Sequence, residues 1–408
     1  MQIKLDKQKK YLLACSFGPD SMALFNMLLE GGYNFGVVHV NYMMRGQESE
    51  EETKSLIKLL KEKNIKYYAN YIDGKLLSGN FQTKAREVRY SFFSDVMLND
   101  DYDVLLTGHH KDDFLETYLL SQKSNRKSFY YGIKDEVTLN GVKVLRPLLS
   151  FYKEELLRYC NEHNVPYAID SSNLGRKYAR NKIRRDVLMK MTVQQKDQLF
   201  NEVQELNNNL EIRKQELLKL IEGNRVSITK FNELSEDDQS YLLYIIFDSL
   251  GFGQYFHSSK VKLIKTNMNS AKTSTFMKVV NELFISKYED DFYLFDLYDY
   301  RPYEYTLKAA KSTSFPQFDI IFNEKTCKMH IKEEHFPITI TVSRGNETYI
   351  IDGHKKKMNR VFIDMKMPRH IRLIWPVVKG KDGTIIYVPR YRKGYKPKET
   401  DLFKINQV

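Results

Sequence analysis

The chain has 408 residues, of which 28% are charged, and its formal net charge is +12. This length allows two or three domains with ample core, and no apolar run approaches the length of a membrane span. The first residues are too polar for a signal peptide, and the three cysteines, Cys15, Cys160 and Cys327, are widely spaced without a Cys-x-x-Cys. We therefore expect a cytoplasmic protein and exclude a zinc ribbon and a cysteine relay for sulfur transfer.

The first 185 residues alternate between predicted strands and helices. Strands are predicted at 11–15, 35–41, 66–72 and 103–108, and helices at 21–30, 48–63, 81–99, 112–122 and 152–163. This alternation is typical of a doubly wound α/β domain with a mostly parallel, Rossmann-like sheet. We assign residues 1–190 to this domain.

The rest of the chain is predicted to form a helical linker and two smaller domains. Apolar residues at spacings of three and four predict a helix over 191–223, which Gly223 ends. Residues 224–310 are predicted to be helices followed by strands, and 315–408 to be short strands with turns. From residue 352 onward the chain carries fifteen Lys and Arg against five Asp and Glu. This local excess, interleaved with tyrosines, favours a polyanion such as RNA.

A polar loop follows the first predicted strand and opens a helix. The loop consists of Ser16, Phe17, Gly18, Pro19, Asp20 and Ser21. Gly18 allows close approach to the backbone, and the helix after the loop directs unpaired N–H groups back at it. These are the ingredients of a phosphate site, although no Walker Gly-Lys-Ser/Thr occurs in the chain. A plain turn that caps a core helix is the alternative.

A second polar loop follows the fourth predicted strand, and both loops should open at the carboxyl edge of one sheet. It contains Thr107, Gly108, His109 and His110, followed by Asp112, Asp113 and Glu116. Asp113 and Glu116 share one face of a first helical turn, where two carboxylates can hold an ammonium group and one can take its proton. Ordinary acidic enrichment at a helix N-terminus is the alternative. The histidines lack the partners of a zinc site.

Several motifs in a fixed order carry a resemblance to a known family. They are Ser-Phe-Gly-Pro-Asp-Ser (16–21), His-Val-Asn-Tyr-Met-Met-Arg-Gly (39–46), Ala-Arg-Glu-Val-Arg-Tyr (85–90), His-His-Lys-Asp-Asp-Phe-Leu-Glu-Thr (109–117), Arg-Pro-Leu (146–148) and Asp-Ser-Ser-Asn with Arg-Asn-Lys-Ile-Arg (170–184). Over the first 185 residues the chain resembles the tRNA(Ile)-lysidine synthetases, a family of PP-loop ATP pyrophosphatases. Residues 353–369 are similar, more loosely, to that family's basic terminal domain.

Two residues depart from the family's motifs. Phe17 stands where the family usually has a glycine, and Tyr42 stands where it has a second histidine. If position 17 needs a positive φ, a phenylalanine would cost on the order of 1 kcal/mol or more, so either φ is negative here or the loop is altered. We assign no chemistry to Tyr42.

The resemblance implies an ATP-dependent ligase for an RNA base. With ATP and Mg²⁺ it would adenylate the C2 oxygen of the wobble cytidine in the CAU-anticodon isoleucine tRNA, and the ε-amine of L-lysine would then displace AMP to give lysidine. Implied catalytic residues are Asp20, Asp113, Glu116 and Arg89, with Asp20 also the candidate for Mg²⁺. Implied nucleotide contacts are Ser16, Phe17, Gly18, Pro19, Asp20, Ser21, His39, Thr107, Gly108 and His109. Implied lysine or cytidine contacts are Asn41, Arg45, Arg86, Asp112, Asp113 and Glu116, and implied tRNA contacts are Arg176, Arg180, Asn181, Arg184, Lys355, Lys356, Lys357, Arg390 and Arg392.

Two other functions stay open from the sequence. The first is a different PP-loop enzyme, although thiolating relatives usually bring paired cysteines and amide-forming ones carry a glutaminase with an N-terminal cysteine, where this chain begins Met1-Gln2. The second is a non-catalytic RNA-binding relative. The departures at Phe17 and Tyr42 favour it, and the acids Asp20, Asp113 and Glu116 oppose it. The oligomeric state, a homodimer included, is open as well.

Overall fold

The computed structural model describes residues 1–44, 46–74, 81–123, 128–139, 141–168, 179–322, 331–351, 353–392, 398 and 401–405, with the backbone alone at 82 and 179–181. The chain forms two compact units, Met1–Leu210 and Glu211–Val408. Among the described residues, no helix combines the length and the apolar character that crossing a membrane requires.

The first unit is built on a six-stranded sheet with helices packed against it. Its strands are β1 (Lys10–Ala14), β2 (Asn34–Asn41), β3 (Tyr67–Tyr71), β4 (Val104–Thr107), β5 (Glu136–Leu139) and β6 (Val142–Leu145). Their order is β3-β2-β1-β4-β6-β5, and every neighbouring pair is parallel except the β5–β6 hairpin. The helices are α1 (Pro19–Glu30), α2 (Gln47–Glu62), α3 (Phe81–Asn99), α4 (Lys111–Lys123), α5 (Lys153–Glu162) and α6 (Ala179–Asp186). The predicted doubly wound, mostly parallel fold is confirmed.

The central strands β1 and β4 are apolar over most of their length because helices cover both faces of the sheet. Successive residues of a strand point to opposite faces, so neighbours in sequence enter different cores. Leu13 and Leu106 pack in one core with α1, whereas Leu12 and Leu105 pack in the other with α3. The adjacent strands β1 and β4 therefore bring the loops that follow them to one edge.

Helix α7 (Val193–Leu218) runs across the boundary between the two units. The sequence predicts this helix to continue to Gly223, but it ends earlier. Strands β7 (Ile221–Glu222) and β8 (Arg225–Ser227) pair as a hairpin, and Gly223 has φ +63° in its turn. The glycine signal therefore belongs to a hairpin turn and not to the end of the helix.

The second unit contains three sheets. Its remaining strands are β9 (Ser274–Val280), β10 (Leu283–Tyr288), β11 (Asp291–Asp296), β12 (Glu304–Leu307), β13 (Thr313–Ser314), β14 (Phe318–Ile320), β15 (Ile338–Val342), β16 (Thr348–Ile351), β17 (His354–Lys357), β18 (Pro376–Lys379), β19 (Ile385–Tyr387) and β20 (Phe403–Ile405). Its helices are α8 (Ile228–Glu233), α9 (Glu236–Ser249), α10 (Ser258–Met268), α11 (Met358–Asp364) and α12 (Arg369–Arg372). The sheet orders are β7-β8-β11-β10-β9, β12-β15-β18-β19-β16-β17 and β13-β14-β20.

One hydrophobic core connects the sheets of the second unit. It includes Phe295 of β11, the fully buried Trp375, and Phe403 of β20. The predicted division near residues 310–315 falls between β12 and β13, and β12 before it pairs with β15 beyond it in the six-stranded sheet. Both predicted C-terminal domains also share this core, so we describe Glu211–Val408 as one unit.

Candidate active site

The two polar loops lie side by side at the carboxyl edge of the first sheet. Ala14 of β1 is paired with Thr107 of β4, and the loops begin directly after these residues. A Cβ added to Gly108 would lie 3.1 Å from the backbone nitrogen of Ser21 and 3.2 Å from the backbone carbon of Asp20. Backbone cannot yield as a flexible side chain does, so the loops approach this closely because residue 108 is a glycine.

The first loop keeps a left-handed residue although its glycine is missing. Phe17 has φ +64°, and its ring is buried in the core beside α1. A non-glycine residue in this region costs roughly 1–3 kcal/mol, which the burial of a phenyl ring can offset. The Phe17 carbonyl also accepts a hydrogen bond from the Ala168 amide at 2.9 Å. The first alternative raised by the sequence, a negative φ at Phe17, is therefore wrong.

Serine hydroxyl groups hold the first loop in a shape that can bind an anion. Ser21 Oγ donates to the Gly18 carbonyl at 3.0 Å and accepts from the Ser16 amide at 3.3 Å. Gly18 is extended and caps α1, and although Pro19 has no N–H, the next amides, those of Asp20 and Ser21, have no acceptor within the helix. The loop therefore presents hydroxyls, free amides and the positive end of a helix dipole, as a phosphate site requires.

Asp20 places a carboxylate beside this cradle. Its Oδ2 lies 3.7 Å from His110 Nε2 and 3.9 Å from Lys153 Nζ, while its Oδ1 is buried without a hydrogen-bond partner among the described residues. Burial raises the pKa of Asp20, and the positive charges of His110 and Lys153 partly oppose this. An unpaired carboxylate oxygen at a phosphate site fits a hard cation such as Mg²⁺. Within the described part of the chain no group of three or more acids, histidines or cysteines could hold a metal, so phosphate and water would complete the coordination.

His110 connects the two loops. It is almost fully buried, with Nε2 3.4 Å from Asp113 Oδ2 and Nδ1 3.5 Å from Asp112 Oδ2. Burial opposes protonation of His110, but its contact with Asp112 and the charges of Asp113 and Asp20 outweigh it and raise its pKa. From the sequence, His110 could be either a core histidine or a contact to the nucleotide. The structure places it among three carboxylates, one of them from the first loop.

Asp113 and Glu116 share one face of α4, as predicted, and one guanidinium bridges them. Asp113 Oδ1 lies 3.3 Å from Arg184 Nη2, and Arg184 Nε donates to Glu116 Oε1. Asp113 Oδ2 also accepts from the His110 amide at 3.1 Å. Burial alone would raise the pKa of Asp113, but the positive charges of His110 and His109 hold it below its usual range. The prediction that Arg184 contacts tRNA is corrected, because its side chain is paired inside this site.

Two side chains that were predicted to contact ligands are hydrogen-bonded to other parts of the protein. The ring nitrogens of His39 lie 2.8 Å from the Cys15 carbonyl and 3.0 Å from Thr53 Oγ1, and burial lowers the pKa of His39. The amide of Asn41 donates to the Ser49 carbonyl and to Thr53 Oγ1, both at 2.9 Å. These neutral side chains join the strands to α2. We therefore do not retain His39 for the nucleotide or Asn41 for the substrate.

Asp112 is likewise committed to protein contacts. Its Oδ1 accepts from Lys196 Nζ, and its Oδ2 accepts from the Lys153 amide, each at 2.9 Å. Burial would raise the pKa of Asp112, but these hydrogen bonds and the contact with His110 hold it well below its usual range. The predicted substrate role is therefore left to Asp113 and Glu116. Lys153 and Lys196 stand outside every motif, and no signal in the sequence separates them from other lysines.

An arginine cluster surrounds the ring of Tyr90. The guanidinium carbons of Arg86 and Arg89 lie 4.7 and 5.8 Å from the ring centre. Arg146, directly after β6, is buried, donates to the Lys134 carbonyl at 2.6 Å, and has an Nε without a partner among the described residues. Burial lowers the pKa of Arg146, and Arg86 is close enough for its charge to act in the same direction. Three arginines grouped in this way, one of them buried, indicate a binding site for an anionic ligand.

Tyr42 has a structural contact where the family usually has histidine. Its hydroxyl donates to the Ala85 carbonyl at 2.8 Å, and its ring lies 5.9 Å from that of Phe81 in an edge-to-face arrangement. Both partners belong to the first turns of α3. Tyr42 therefore anchors the helix that carries Arg86 and Arg89.

Several predicted contact residues of the first unit lie outside the part of the chain that the structure describes. For tRNA these are Arg176 and the side chains of Arg180 and Asn181. For the substrate it is Arg45, and the motif at 170–173 lies outside as well.

The predicted tRNA contacts of the second unit are all exposed. Lys355, Lys356 and Lys357 lie on β17, at the edge of the six-stranded sheet, and Arg390 and Arg392 are exposed as well. Lysines on an edge strand also prevent pairing with other chains. Tyr387 and Tyr391, whose interleaving favoured RNA, pack against Phe403 and Trp375 in the core instead.

Comparison with known proteins agrees with this geometry. The profile of the PP-loop domain matches residues 1–191. The chain is similar to the tRNA(Ile)-lysidine synthase of Mycoplasma mycoides subsp. mycoides, with 31% identity over 94% of this chain and 97% of that protein. The enzyme of the same name from Lactococcus lactis is 29% identical over 94% of this chain and 86% of the other. Among solved structures, a U34-tRNA thiolase from Methanococcus maripaludis has a TM-score of 0.43 and 18% identity, and the match covers 50% of this chain and 74% of that one.

Proposed function

The chain belongs to the tRNA(Ile)-lysidine synthase family of ATP-dependent PP-loop ligases, and we propose that it adenylates the wobble cytidine of CAU-anticodon isoleucine tRNA and joins L-lysine to it. The contact of the two loops at Gly108 carries this proposal. Because of this contact, the phosphate-binding loop and the carboxylate pair lie at the same edge of one sheet. A nucleotide bound at the first loop and an amine bound at the carboxylates could then both reach one RNA base placed between them.

In the first step the C2 oxygen of the cytidine attacks the α-phosphorus of ATP. A P–O bond forms there while the bond to the bridging oxygen breaks, and pyrophosphate leaves. Ser16, Gly18 and the first amides of α1 would hold the departing phosphates, since they supply hydroxyl and N–H donors without a negative charge. Mg²⁺, which offsets phosphate charge when bound, would use Asp20 Oδ1 as its protein ligand.

In the second step the ε-amine of lysine attacks C2. The new C–N bond forms as the C2–O bond to the adenylate breaks, AMP leaves, and the amine gives up a proton. Asp113 and Glu116 would hold the incoming ammonium group, and one of them would take that proton. The lowered pKa of Asp113 keeps this carboxylate ionised, which suits binding of a cation.

The arginine cluster would hold the remaining anionic groups. Arg89 and Arg86 can bind the α-phosphate or the carboxylate of lysine in a bidentate way, and Arg146 adds a buried positive charge. The exposed lysines of β17 would hold phosphates of the tRNA. Free lysine, ATP and tRNA are present together in the cytoplasm, where we place the enzyme.

A pyrophosphate-release assay with matched variants tests this function. The wild-type protein should release pyrophosphate from ATP over many turnovers only when both the tRNA and L-lysine are present, because without lysine the reaction stops at the adenylated cytidine. Asp20→Ala should abolish release and leave tRNA affinity nearly intact, because the loop handles the triphosphate and not the RNA. Asp95→Ala, which removes an exposed acid from α3, is the control and should behave as wild type. Sustained release over many turnovers without lysine would point to another PP-loop enzyme, and absence of release with tight tRNA binding would point to a non-catalytic relative.

A further inference from the structure

Arg184 occupies both carboxylates that the proposed reaction needs for its amine. Its Nη2 lies 3.3 Å from Asp113 Oδ1, and its Nε donates to Glu116 Oε1. The side chain of Glu116 is 3% exposed and that of Asp113 16%, whereas that of Arg184 is 31% exposed. The guanidinium is therefore the most accessible member of the cluster and lies against the two acids.

A lysine ammonium bound at these carboxylates would compete with Arg184 for their charge and their lone pairs. It carries three donors on a compact charge and would seek the oxygens that Arg184 now contacts. Removal of Arg184 would leave Asp113 with His110 as a charged neighbour, but it would take from the buried Glu116 the guanidinium that this acid contacts. A second cation in the same place would restore that charge.

We propose that Arg184 fills the amine subsite until lysine arrives, and that lysine binds by displacing its guanidinium. The proposal rests on the function assigned above to Asp113 and Glu116. It makes Arg184 a specificity-determining residue, because an incoming group must be a cation to replace a cation there. A neutral amine or a water molecule does not replace the charge of the guanidinium and therefore does not displace it.

The charges around Arg184 are consistent with a contact to the two acids that can be released and formed again. Burial lowers the pKa of Arg184, but the charges of Glu116 and Asp113 outweigh this and raise it, so the side chain stays charged whether it is paired or released. Arg184 lies in the second half of α6, an eight-residue helix. Release of the contact therefore requires movement of a long side chain, and α4 can keep its place.

A purely structural role for Arg184 makes the opposite prediction. If the guanidinium only fastens α6 to α4, its removal should loosen the site and weaken lysine binding. If it competes with lysine, its removal should strengthen lysine binding. The direction of the change in lysine affinity therefore separates the two explanations.

The test is the lysine KM of the full chain at saturating ATP and tRNA, together with L-lysine binding measured by calorimetry in the presence of ATP. Arg184→Gln should lower both the KM and the dissociation constant about three- to tenfold, since a charge-assisted contact no longer has to be broken. Arg184→Lys keeps the charge but loses the planar fork, so its values should lie between those of the wild type and Arg184→Gln. Arg185→Gln is the matched control, because the neighbouring Arg185 is exposed and pairs with Asp186 at 2.8 Å; its values should equal those of wild type.

The outcomes separate this inference from the proposed function. A higher lysine KM in Arg184→Gln, with Asp113→Asn and Glu116→Gln also weakening lysine binding, would overturn the competition and leave the carboxylates as the amine site. Unchanged lysine binding in both carboxylate variants would overturn the amine site and the competition together. If Arg184→Gln fails to fold, Arg184→Lys decides: competition requires its KM to fall below that of wild type, and an equal or higher KM refutes it.

Discussion

Lys196 Nζ lies 2.9 Å from Asp112 Oδ1, and both side chains are about nine-tenths buried. This pair joins the first turns of α7 to the first turn of α4, the helix that carries Asp113 and Glu116. Lys111 Nζ reinforces the junction by pairing with Asp197 of α7. Helix α7 is thus fastened at its start to the start of α4.

Removal of the Lys196 charge should therefore be costly. Lys196→Met leaves the Asp112 carboxylate buried without its cation, which should lower the free energy of unfolding by about 3 kcal/mol. Urea unfolding followed by circular dichroism measures this loss. Lys214→Met is the matched control on the same helix, because its pair with Glu211 is exposed and should be worth less than about 0.5 kcal/mol. Similar losses in the two variants would show that the Lys196–Asp112 pair adds nothing special.

Gly108→Ala should disturb the ATP site more than the fold. The added Cβ would meet the backbone of Ser21 at 3.1 Å and push the two loops apart, so we expect the KM for ATP to rise about tenfold. Gly18→Ala is the comparison, since Gly18 has φ −77° and its Cβ would meet only Ser16 Oγ at 3.4 Å. The melting temperature should hardly change in Gly18→Ala. An unchanged KM for ATP in Gly108→Ala would mean that the loops tolerate separation.

His370 should make the second unit sensitive to acid. It is buried against Tyr293 and Phe295 without a hydrogen-bond partner among the described residues, and burial lowers its pKa to about 3. The unfolded chain takes up this proton below a pH of about 6.5, and the folded chain does not, so stability falls as pH falls. Between pH 7 and pH 5 the loss should be about 2 kcal/mol.

His370→Phe should remove this dependence, because phenylalanine fills the aromatic site without a titrating group. Urea unfolding of the full chain at the two pH values measures the difference. The exposed His257, replaced in the same way, is the control and should leave the pH dependence as in wild type. A His370→Phe protein that loses stability with acid as steeply as wild type would contradict the argument.

The sequence is informative about the first unit because its strands are buried on both faces. Continuous apolar runs mark β1, β2 and β4, and each lies within a residue or two of its predicted bounds. The β5–β6 hairpin was not predicted, although Asn140-Gly141 between two short alternating runs is a local signal for such a hairpin. Local pattern could not show that the two predicted C-terminal domains share one core.

The candidate site could be predicted only as far as its motifs reach. Sequence spacing puts Asp113 and Glu116 on one face, and the order of strands puts their loop beside Asp20. The partners of these acids come from distant parts of the chain. Arg184 lies 68 residues from Glu116, and Lys196 lies 84 residues from Asp112. No local rule identifies such pairs, so one was assigned to tRNA and the other was missed.

The most direct test of the account is the wobble nucleoside itself. Mass analysis of CAU-anticodon isoleucine tRNA, after incubation with the protein, ATP and L-lysine, should show lysidine at the wobble position. At a lysine concentration near the wild-type KM, Asp113→Asn and Glu116→Gln should give much less lysidine, and saturating lysine should restore part of it, because each variant weakens the ammonium site more than the ATP site. An unmodified wobble cytidine with wild-type protein, or equal lysidine formation by both variants at every lysine concentration, would contradict the account.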